Sequence, residues 1–149
     1  MIDPTPLHRP LQADGRLHGV AIACRRPDGK YLCIRRAAGV AAPLRVCFPG
    51  GAIEVGEAPA AAVAREMLEE LGVEVRPIAN VCRWDQPRLD LPGVSLTLWG
   101  WTAELLSENL RPDPLEVAQV LWLSGTEAID HPDAMPSNRY FVNCLEGKQ

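Results

Sequence analysis

The chain lacks any apolar run long enough to cross a membrane as a helix. Its longest apolar stretch, residues 96–106, is interrupted by polar residues and a glycine, whereas a spanning helix needs about 18 or more apolar residues in a row. The pattern of a secretory signal, a basic flank followed by an apolar core, is also missing from the N-terminus. We therefore expect a cytoplasmic protein that does not act at a membrane.

Positive charge is scarce as well. The chain has 15 Lys and Arg against 19 Asp and Glu, which gives a formal net charge of -4. Binding to a nucleic acid backbone needs clustered positive charge, so we expect no nucleic acid polymer as a partner. A small ligand that carries phosphates stays compatible with this charge, because a few arginines or a metal ion can hold it.

The cysteines show neither a disulfide framework nor paired metal-ligand spacing. Their number is odd and no two of them form a C-x-x-C motif, which predicts reduced and mostly buried thiols. A structural zinc site is the lesser alternative, since the three histidines are isolated from one another. The five cysteines are Cys24, Cys33, Cys47, Cys82 and Cys144.

The composition that remains is that of one ordinary folded domain. The chain has 149 residues, of which 47% are hydrophobic and 23% charged, values close to the average for globular proteins. This length suits a single domain, and we find no internal repeat. We expect one domain over residues 1–149, with the proline-containing residues 1–16 as an irregular arm.

Short apolar or alternating runs predict a series of strands. A turn at residues 27–29 should join the first two strands as a hairpin. The predicted strands cover residues 17–25, 30–36, 45–48, 73–84, 94–103 and 117–123, and a short helix begins near residue 126.

Residues 59–71 predict the main helix. Pro59 suits the first helical position, and the alanines that follow it are strong helix formers. Gly72 can supply a left-handed stop, whereas Ala58 is a poor N-terminal cap. The helix should therefore be well defined at its C-terminal end.

Three glutamates share one face of this helix. Glu66, Glu69 and Glu70 are spaced i, i+3 and i, i+4, so their side chains meet beside the apolar stripe. One interpretation is a solvated acidic face, with Arg65 as its only helical cation. The other is a metal site, because a divalent cation such as Mg²⁺ binds carboxylates and turns their repulsion into attraction.

The segment around this helix resembles the Nudix box. That pattern is Gly, five residues, Glu, seven residues, Arg-Glu, an aliphatic residue, any residue, Glu-Glu, any residue, Gly and an aliphatic residue. All seven of its fixed identities occur at the required spacing, which makes the resemblance specific. They are Gly51, Glu57, Arg65, Glu66, Glu69, Glu70 and Gly72.

The resemblance implies an α/β/α sandwich with a mixed β-sheet and a loop–helix–loop metal site. It also implies hydrolysis of a diphosphate bond in a nucleoside diphosphate derivative, with Mg²⁺ or Mn²⁺ as cofactor. Arg65 would orient the glutamates. The general base would be Glu66, with Glu116 as its rival, and Glu69 is a further catalytic candidate. The implied metal ligands are the Gly51 carbonyl, Glu66, Glu69, Glu70 and Glu116.

Shorter matches resemble the MutT-like branch of that family. They are residues 35–38, 48–51, 98–101 and 136–138. In that branch, residues matching Arg36, Phe48 and Asn138 contact the nucleotide, and the asparagine contacts the base. The alternatives are core packing for Phe48 and a turn for Asn138, and the four tryptophans are expected in the core or on sheet faces.

The leading functional expectation is therefore a MutT-like nucleoside triphosphate diphosphatase acting on a small-molecule nucleotide. Two alternatives stay open, namely a hydrolase of a nucleotide sugar or dinucleotide and a non-catalytic nucleotide sensor. The intact set of box glutamates favours an enzyme over a sensor. A monomer and a homodimer are equally compatible with the sequence.

Overall fold

The computed structural model describes residues 11–87 and 93–147. Its strands are β1 (Leu17–Ala23), β2 (Tyr31–Arg36), β3 (Val46–Cys47), β4 (Gly50–Ala52), β5 (Val75–Pro87), β6 (Ser95–Leu105) and β7 (Val117–Leu123). Its helices are α1 (Pro59–Leu71), α2 (Gly125–Asp130) and α3 (Ser137–Leu145). None of the helices within the described residues is long and apolar enough to span a membrane.

The strands form two sheets. The first has four strands in the order β4-β1-β6-β5, and the second has three in the order β3-β2-β7. Strands β1 and β6 run parallel while β1 and β4 run antiparallel, so the first sheet is mixed. The second sheet is antiparallel throughout.

Alternate residues of the inner strands pack into two separate hydrophobic cores. In β1, Val20 and Ile22 join α1 in one buried cluster, whereas Ala23 joins Phe141 of α3 in the other. This is the period-two pattern of a strand that is covered on both faces. The result is an α/β/α sandwich, as the resemblance to the Nudix box implies, with α1 on one side and α2 and α3 on the other.

Helix α1 begins and ends where the sequence predicts. Ala58 provides no side-chain cap, and Gly72 has φ 60° and donates its backbone N–H to the Leu68 carbonyl. The loop after β6 then covers the C-terminal end of the helix, where Arg111 and Asp113 donate backbone hydrogen bonds to the carbonyls of Leu71 and Glu70. Those two carbonyl oxygens have no partner inside the helix itself.

The hairpin expectation is only half right. Backbone hydrogen bonds do close the turn between Cys24 and Leu32, but β1 pairs with β4 and β6 while β2 pairs with β3 and β7. The two strands therefore diverge into different sheets. Strand β4 and helix α3 were not predicted, and most of the expected N-terminal arm, residues 1–10, lies outside the described residues.

Candidate active site

A cavity of about 890 Å³ opens between the helices and the first sheet. Its acidic end is formed by Gly51, Glu66, Glu70 and Glu116, and its apolar end by Trp84, Leu96, Leu98 and Phe141. Arg36, Phe48 and Asn138 also line it. The cavity thus brings together all of the residues that the sequence singled out for substrate and metal, on elements that are far apart in the chain.

Helix α1 buries two of its three acidic residues. Glu66 is 7% exposed and Glu70 is 3% exposed, one turn apart on the face that also buries Met67. The Glu69 side chain is 55% exposed and reaches back to Arg65 at 3.2 Å. The acidic face is therefore a buried pair of carboxylates with the third one at its margin, which does not fit a simple solvated face.

Gly51 makes room for the first of these carboxylates. A Cβ atom on Gly51 would stand 2.3 Å from the Glu66 carboxylate, so only glycine allows the carboxylate to lie against strand β4. The Gly51 carbonyl oxygen lies close to Gly19 of β1. A Cβ atom on Gly19 would stand 3.1 Å from this oxygen. Its part in a metal site stays a prediction.

Arg65 ties the helix to the loop that precedes it. Its guanidinium donates Nε and Nη2 hydrogen bonds to the two carboxylate oxygens of Glu57, at 2.8 and 2.9 Å. It also donates to Glu66 Oε1 at 2.9 Å and to the Ala52 carbonyl at 2.8 Å. These contacts hold the pKa of Glu57 below its usual range. Arg65 therefore positions both the Glu66 carboxylate and strand β4.

The pair Glu66 and Glu70 is electrostatically strained. Burial raises the pKa of Glu66, although Arg65 opposes the shift. Burial, followed by the charges of Glu66 and Glu116, holds the pKa of Glu70 well above its usual range. Glu70 Oε2 is buried without a hydrogen-bond partner among the described residues. A buried acceptor without a donor is costly, and a cation would satisfy it.

The carboxylate oxygens at the acidic end of the cavity are ligands that suit a hard divalent cation. Mg²⁺ prefers oxygen ligands and commonly binds through one or two carboxylates together with substrate phosphates. Across residues 11–87 and 93–147, no group of three or more His, Cys, Asp or Glu side chains is already gathered to hold a metal ion, and the Glu69 carboxylate pairs with Arg65. Glu66 and Glu70 are therefore the two buried carboxylates available to the ion.

Glu116 reaches the acidic end from a different part of the chain. Its backbone carbonyl accepts from Ala37 at the end of β2, and its charge is one cause of the raised pKa of Glu70. The loop at residues 111–116, which covers the end of α1, brings it there. Arg36 stands on the same side, since its charge acts on Glu70 while its Nε donates to the Ala41 carbonyl at 2.6 Å.

The two other predicted substrate residues are both buried. Phe48 packs edge-on against Phe141 with ring centroids 4.8 Å apart, so it belongs to the core, and it also lines the cavity. Asn138 is 2% exposed and is the second residue of helix α3. It is therefore a helical residue, and the alternative that it belongs to a loop turn is wrong. Its side chain faces the cavity from a fixed position.

Sequence reasoning missed Trp84 and Gln86. Both line the cavity from strand β5, where Trp84 pairs with Leu98 and Gln86 with Leu96. The signal that could have found them is the alternation of side chains along a strand. Once Leu98 is assigned to the cavity, its partner Trp84 and the residue two positions on must share that face.

We expect the buried glutamates to make the metal-free protein less stable as pH rises. A carboxyl whose folded-state pKa is raised contributes stability below its unfolded pKa and loses it as pH rises through the folded value. In EDTA, the free energy of unfolding of the wild type should therefore fall relative to that of Glu70→Gln between about pH 5 and about pH 8. Denaturant unfolding across this range measures the difference, and parallel curves would refute the prediction.

Gly50 and Gly51 should respond differently to alanine. A Cβ on Gly50 would stand 2.0 Å from the Val20 carbonyl oxygen of β1, a backbone clash that we expect to cost about 3 kcal/mol or more. A Cβ on Gly51 meets only the movable end of Glu66, so Gly51→Ala should keep most of its stability and lose turnover about 10-fold to 100-fold. Thermal unfolding and initial rates test both variants, and the reverse pattern would refute the assignment.

Comparison with known proteins agrees with this fold. The NUDIX domain family matches residues 15–144. A protein of Escherichia coli (strain K12) named 8-oxo-dGTP diphosphatase is 30% identical over 110 residues, which are 74% of this chain and 83% of that protein.

Solved structures share the fold. A MutT protein from Methanosarcina mazei Go1 superimposes with a TM-score of 0.77 at 19% identity, over 90% of this chain and 96% of that one. A MutT NUDIX hydrolase from Burkholderia pseudomallei gives a TM-score of 0.74 at 23% identity, over 87% of this chain and 98% of that one. At these identities the likeness supports the α/β/α sandwich and leaves the substrate to be argued from the site.

Proposed function

This chain belongs to the Nudix family, and from that premise we propose that it hydrolyses nucleoside triphosphates to monophosphate and pyrophosphate with the help of Mg²⁺ or Mn²⁺. It is a MutT-like Nudix pyrophosphohydrolase. The nucleotide substrate, the metal and the residue roles are the proposal.

One observation carries the proposal. Glu66 and Glu70 form a buried carboxylate pair at the wall of a large cavity, and Glu70 Oε2 has no donor among the described residues. A structural helix gains nothing from such a pair, because both carboxyl groups resist ionisation there. A site for a cation and a diphosphate accounts for it.

The residues that line the acidic end have three proposed roles: metal binding, positioning of Glu66 and binding of the phosphates. Glu66, Glu69, Glu70, Glu116 and the Gly51 carbonyl are the proposed metal ligands. A bound divalent cation would neutralise diphosphate charge and make water a better nucleophile. Arg65 holds Glu66 in position, and Arg36 offers positive charge to the phosphates at the acidic end.

Glu66 is the proposed general base, and Glu116 is the alternative. Glu66 is held by Arg65 at 2.9 Å, which fixes where its carboxylate faces the cavity. Glu116 is exposed and also lines the cavity. If Glu66 is the base, Glu116→Gln should keep the acid limb of the pH–rate profile, whereas loss of that limb in Glu116→Gln would assign the base to Glu116.

The test is a substrate panel with and without Mg²⁺. Nucleoside triphosphates, nucleotide sugars and dinucleotides are incubated with the protein, and the products are separated by chromatography. We expect nucleoside monophosphate and pyrophosphate from triphosphates in the presence of Mg²⁺, and almost none in EDTA. Equal rates in EDTA would refute the metal requirement, and inert triphosphates would refute the substrate class.

A larger substrate is the second candidate. The cavity volume of about 890 Å³ lies toward the upper end of the roughly 300–1,000 Å³ that small-molecule sites span. A nucleotide sugar or dinucleotide would use more of this space than a triphosphate. Faster release of nucleoside monophosphate from these compounds in the same panel would favour them.

The reduced thiols support action in the cytoplasm. All five cysteines are free, and Cys24, Cys33 and Cys47 are buried. Burial raises the pKa of Cys24 and Cys33 to about 12, so these thiols resist oxidation and ligation. This pattern is typical of proteins kept in a reducing compartment.

A further inference from the structure

The apolar end of the cavity is one face of the four-stranded sheet. Phe141 of α3 covers this face at Gly100, where a Cβ atom would stand 2.7 Å from its ring. Towards the start of β6 the same face continues through Leu98 and Leu96, which pair with Gly19 and Leu17 of β1. There Leu98 and Leu96 are only partly buried and line the cavity. This apolar floor, formed by Leu98 and Leu96, suits the face of a heterocyclic ring.

Sheet order sets the distance between the two ends. Strand β4, with Gly51, and strand β5, with Gln86, are the opposite edges of the sheet. Neighbouring strands are about 4.8 Å apart, so the two edges are separated by roughly 14 Å. A phosphate chain held at the acidic end would therefore leave an attached heterocycle over the apolar floor.

Gln86 stands at the far edge of this floor in a fixed orientation. Its Oε1 accepts a hydrogen bond from the Trp84 indole Nε1 at 3.1 Å, and both side chains line the cavity. No hydrogen bond of Gln86 Nε2 occurs within the part of the chain that the structure describes. Because the carbonyl side is held by Trp84, the amide presents its N–H donors to a ligand.

Asn138 presents the opposite polarity. Its Nδ2 donates to the carbonyls of Val46 at 3.0 Å and Ala128 at 2.9 Å. Both N–H groups of the amide are thereby used, and only the Oδ1 acceptor remains for a ligand. The cavity therefore offers one fixed acceptor at Asn138 and one fixed donor at Gln86.

We propose that Gln86 is a specificity-determining residue that donates a hydrogen bond from Nε2 to a carbonyl oxygen of the substrate's base. Nucleotides with a keto group at this position are then preferred over counterparts with an amino group there. An amino group would face the Gln86 donors and leave both sides unsatisfied. This inference rests on the proposed function, because it places a nucleotide in the cavity.

The test compares triphosphates that differ by one keto-to-amino exchange. The pairs are guanine with 2,6-diaminopurine, hypoxanthine with adenine, and uracil with cytosine. For at least one pair, the wild type should favour the keto member in kcat/KM by about 10-fold, mainly through KM. Gln86→Leu should bring that ratio close to one, and Gln86→Glu, which replaces donors by an acceptor, should reverse it.

Two further variants separate this role from a structural one. Trp84→Phe removes the indole donor and frees the carboxamide, so the ratio should fall. Gln119→Leu changes a glutamine on β7 whose Oε1 is likewise held, by Arg35 Nε at 3.2 Å, and it should keep the wild-type ratio. A wild-type ratio in Gln86→Leu would overturn the proposal, and so would a wild type without keto preference.

A binding experiment separates failure of this inference from failure of the proposed function. Calorimetric titration with the corresponding nucleoside monophosphates in EDTA does not depend on turnover. Tighter binding of a keto base by the wild type, lost in Gln86→Leu, supports the role of Gln86 even if no triphosphate is hydrolysed. Equal binding of keto and amino bases overturns it even if the triphosphates are good substrates.

Discussion

Glu70→Gln should lower kcat by more than about 100-fold while the protein stays folded. Loss of groups that only support metal ligands commonly costs about 10-fold to 100-fold, and Glu70 is itself a proposed ligand. The amide has the shape of the carboxyl, so packing around the 3% exposed side chain is retained. Steady-state rates with saturating Mg²⁺ measure the loss.

Stability distinguishes this loss from simple damage. Gln at position 70 removes the repulsion with Glu66 that helps to raise the pKa of Glu70, so the metal-free variant should unfold at a temperature equal to or above that of the wild type at about pH 8. Glu74→Gln changes an exposed glutamate just beyond the same helix and should leave the rate unchanged. A Glu70→Gln variant with wild-type turnover would refute the metal-site assignment.

Arg65→Lys should lower kcat/KM about 10-fold to 100-fold although it keeps the positive charge. The guanidinium contacts Glu57, Glu66 and the Ala52 carbonyl at once, and a single ammonium group cannot reach all three. We also expect a loss of about 1–3 kcal/mol in the free energy of unfolding, because partly buried acceptors lose their donors. Denaturant unfolding and initial rates measure the two effects.

The dependence of the rate on Mg²⁺ concentration tests whether Arg65 positions Glu66. If Arg65 acts by holding Glu66, the variant should need a higher Mg²⁺ concentration for half-maximal rate. Arg76→Lys is the matched control, since Arg76 pairs with Glu104 on an exposed part of the sheet where an ion pair contributes little. An unchanged Mg²⁺ requirement in Arg65→Lys would contradict this role.

Local signals predict α1 residue for residue. Pro59, the run of alanines and Gly72 act through the backbone of the segment itself, so no other part of the chain is needed. Strand β4 escapes prediction because Gly50, Gly51 and Ala52 have low strand propensity and are held in the sheet by β1. The division into two sheets depends on pairings between distant segments that no local pattern contains.

The candidate site divides in the same way. The spacing of Glu66, Glu69 and Glu70 predicts a shared acidic face, but the burial of only two of them depends on β4 and on the loop at residues 111–116. The hydrogen-bonding groups at the end of the cavity proposed for the base are even harder to predict from the sequence. Asn138 presents only an acceptor because Val46 and Ala128 take its donors, and Gln86 presents donors because of Trp84. Such orientations come from the folded environment.

Binding of Mn²⁺ without nucleotide tests the central claim most directly, that Glu66 and Glu70 hold a divalent cation. Electron paramagnetic resonance follows the signal of free Mn²⁺, which weakens as the ion binds. The wild type should remove Mn²⁺ from solution, and the folded double variant Glu66→Gln/Glu70→Gln should not. Equal Mn²⁺ binding by the two proteins would contradict the account.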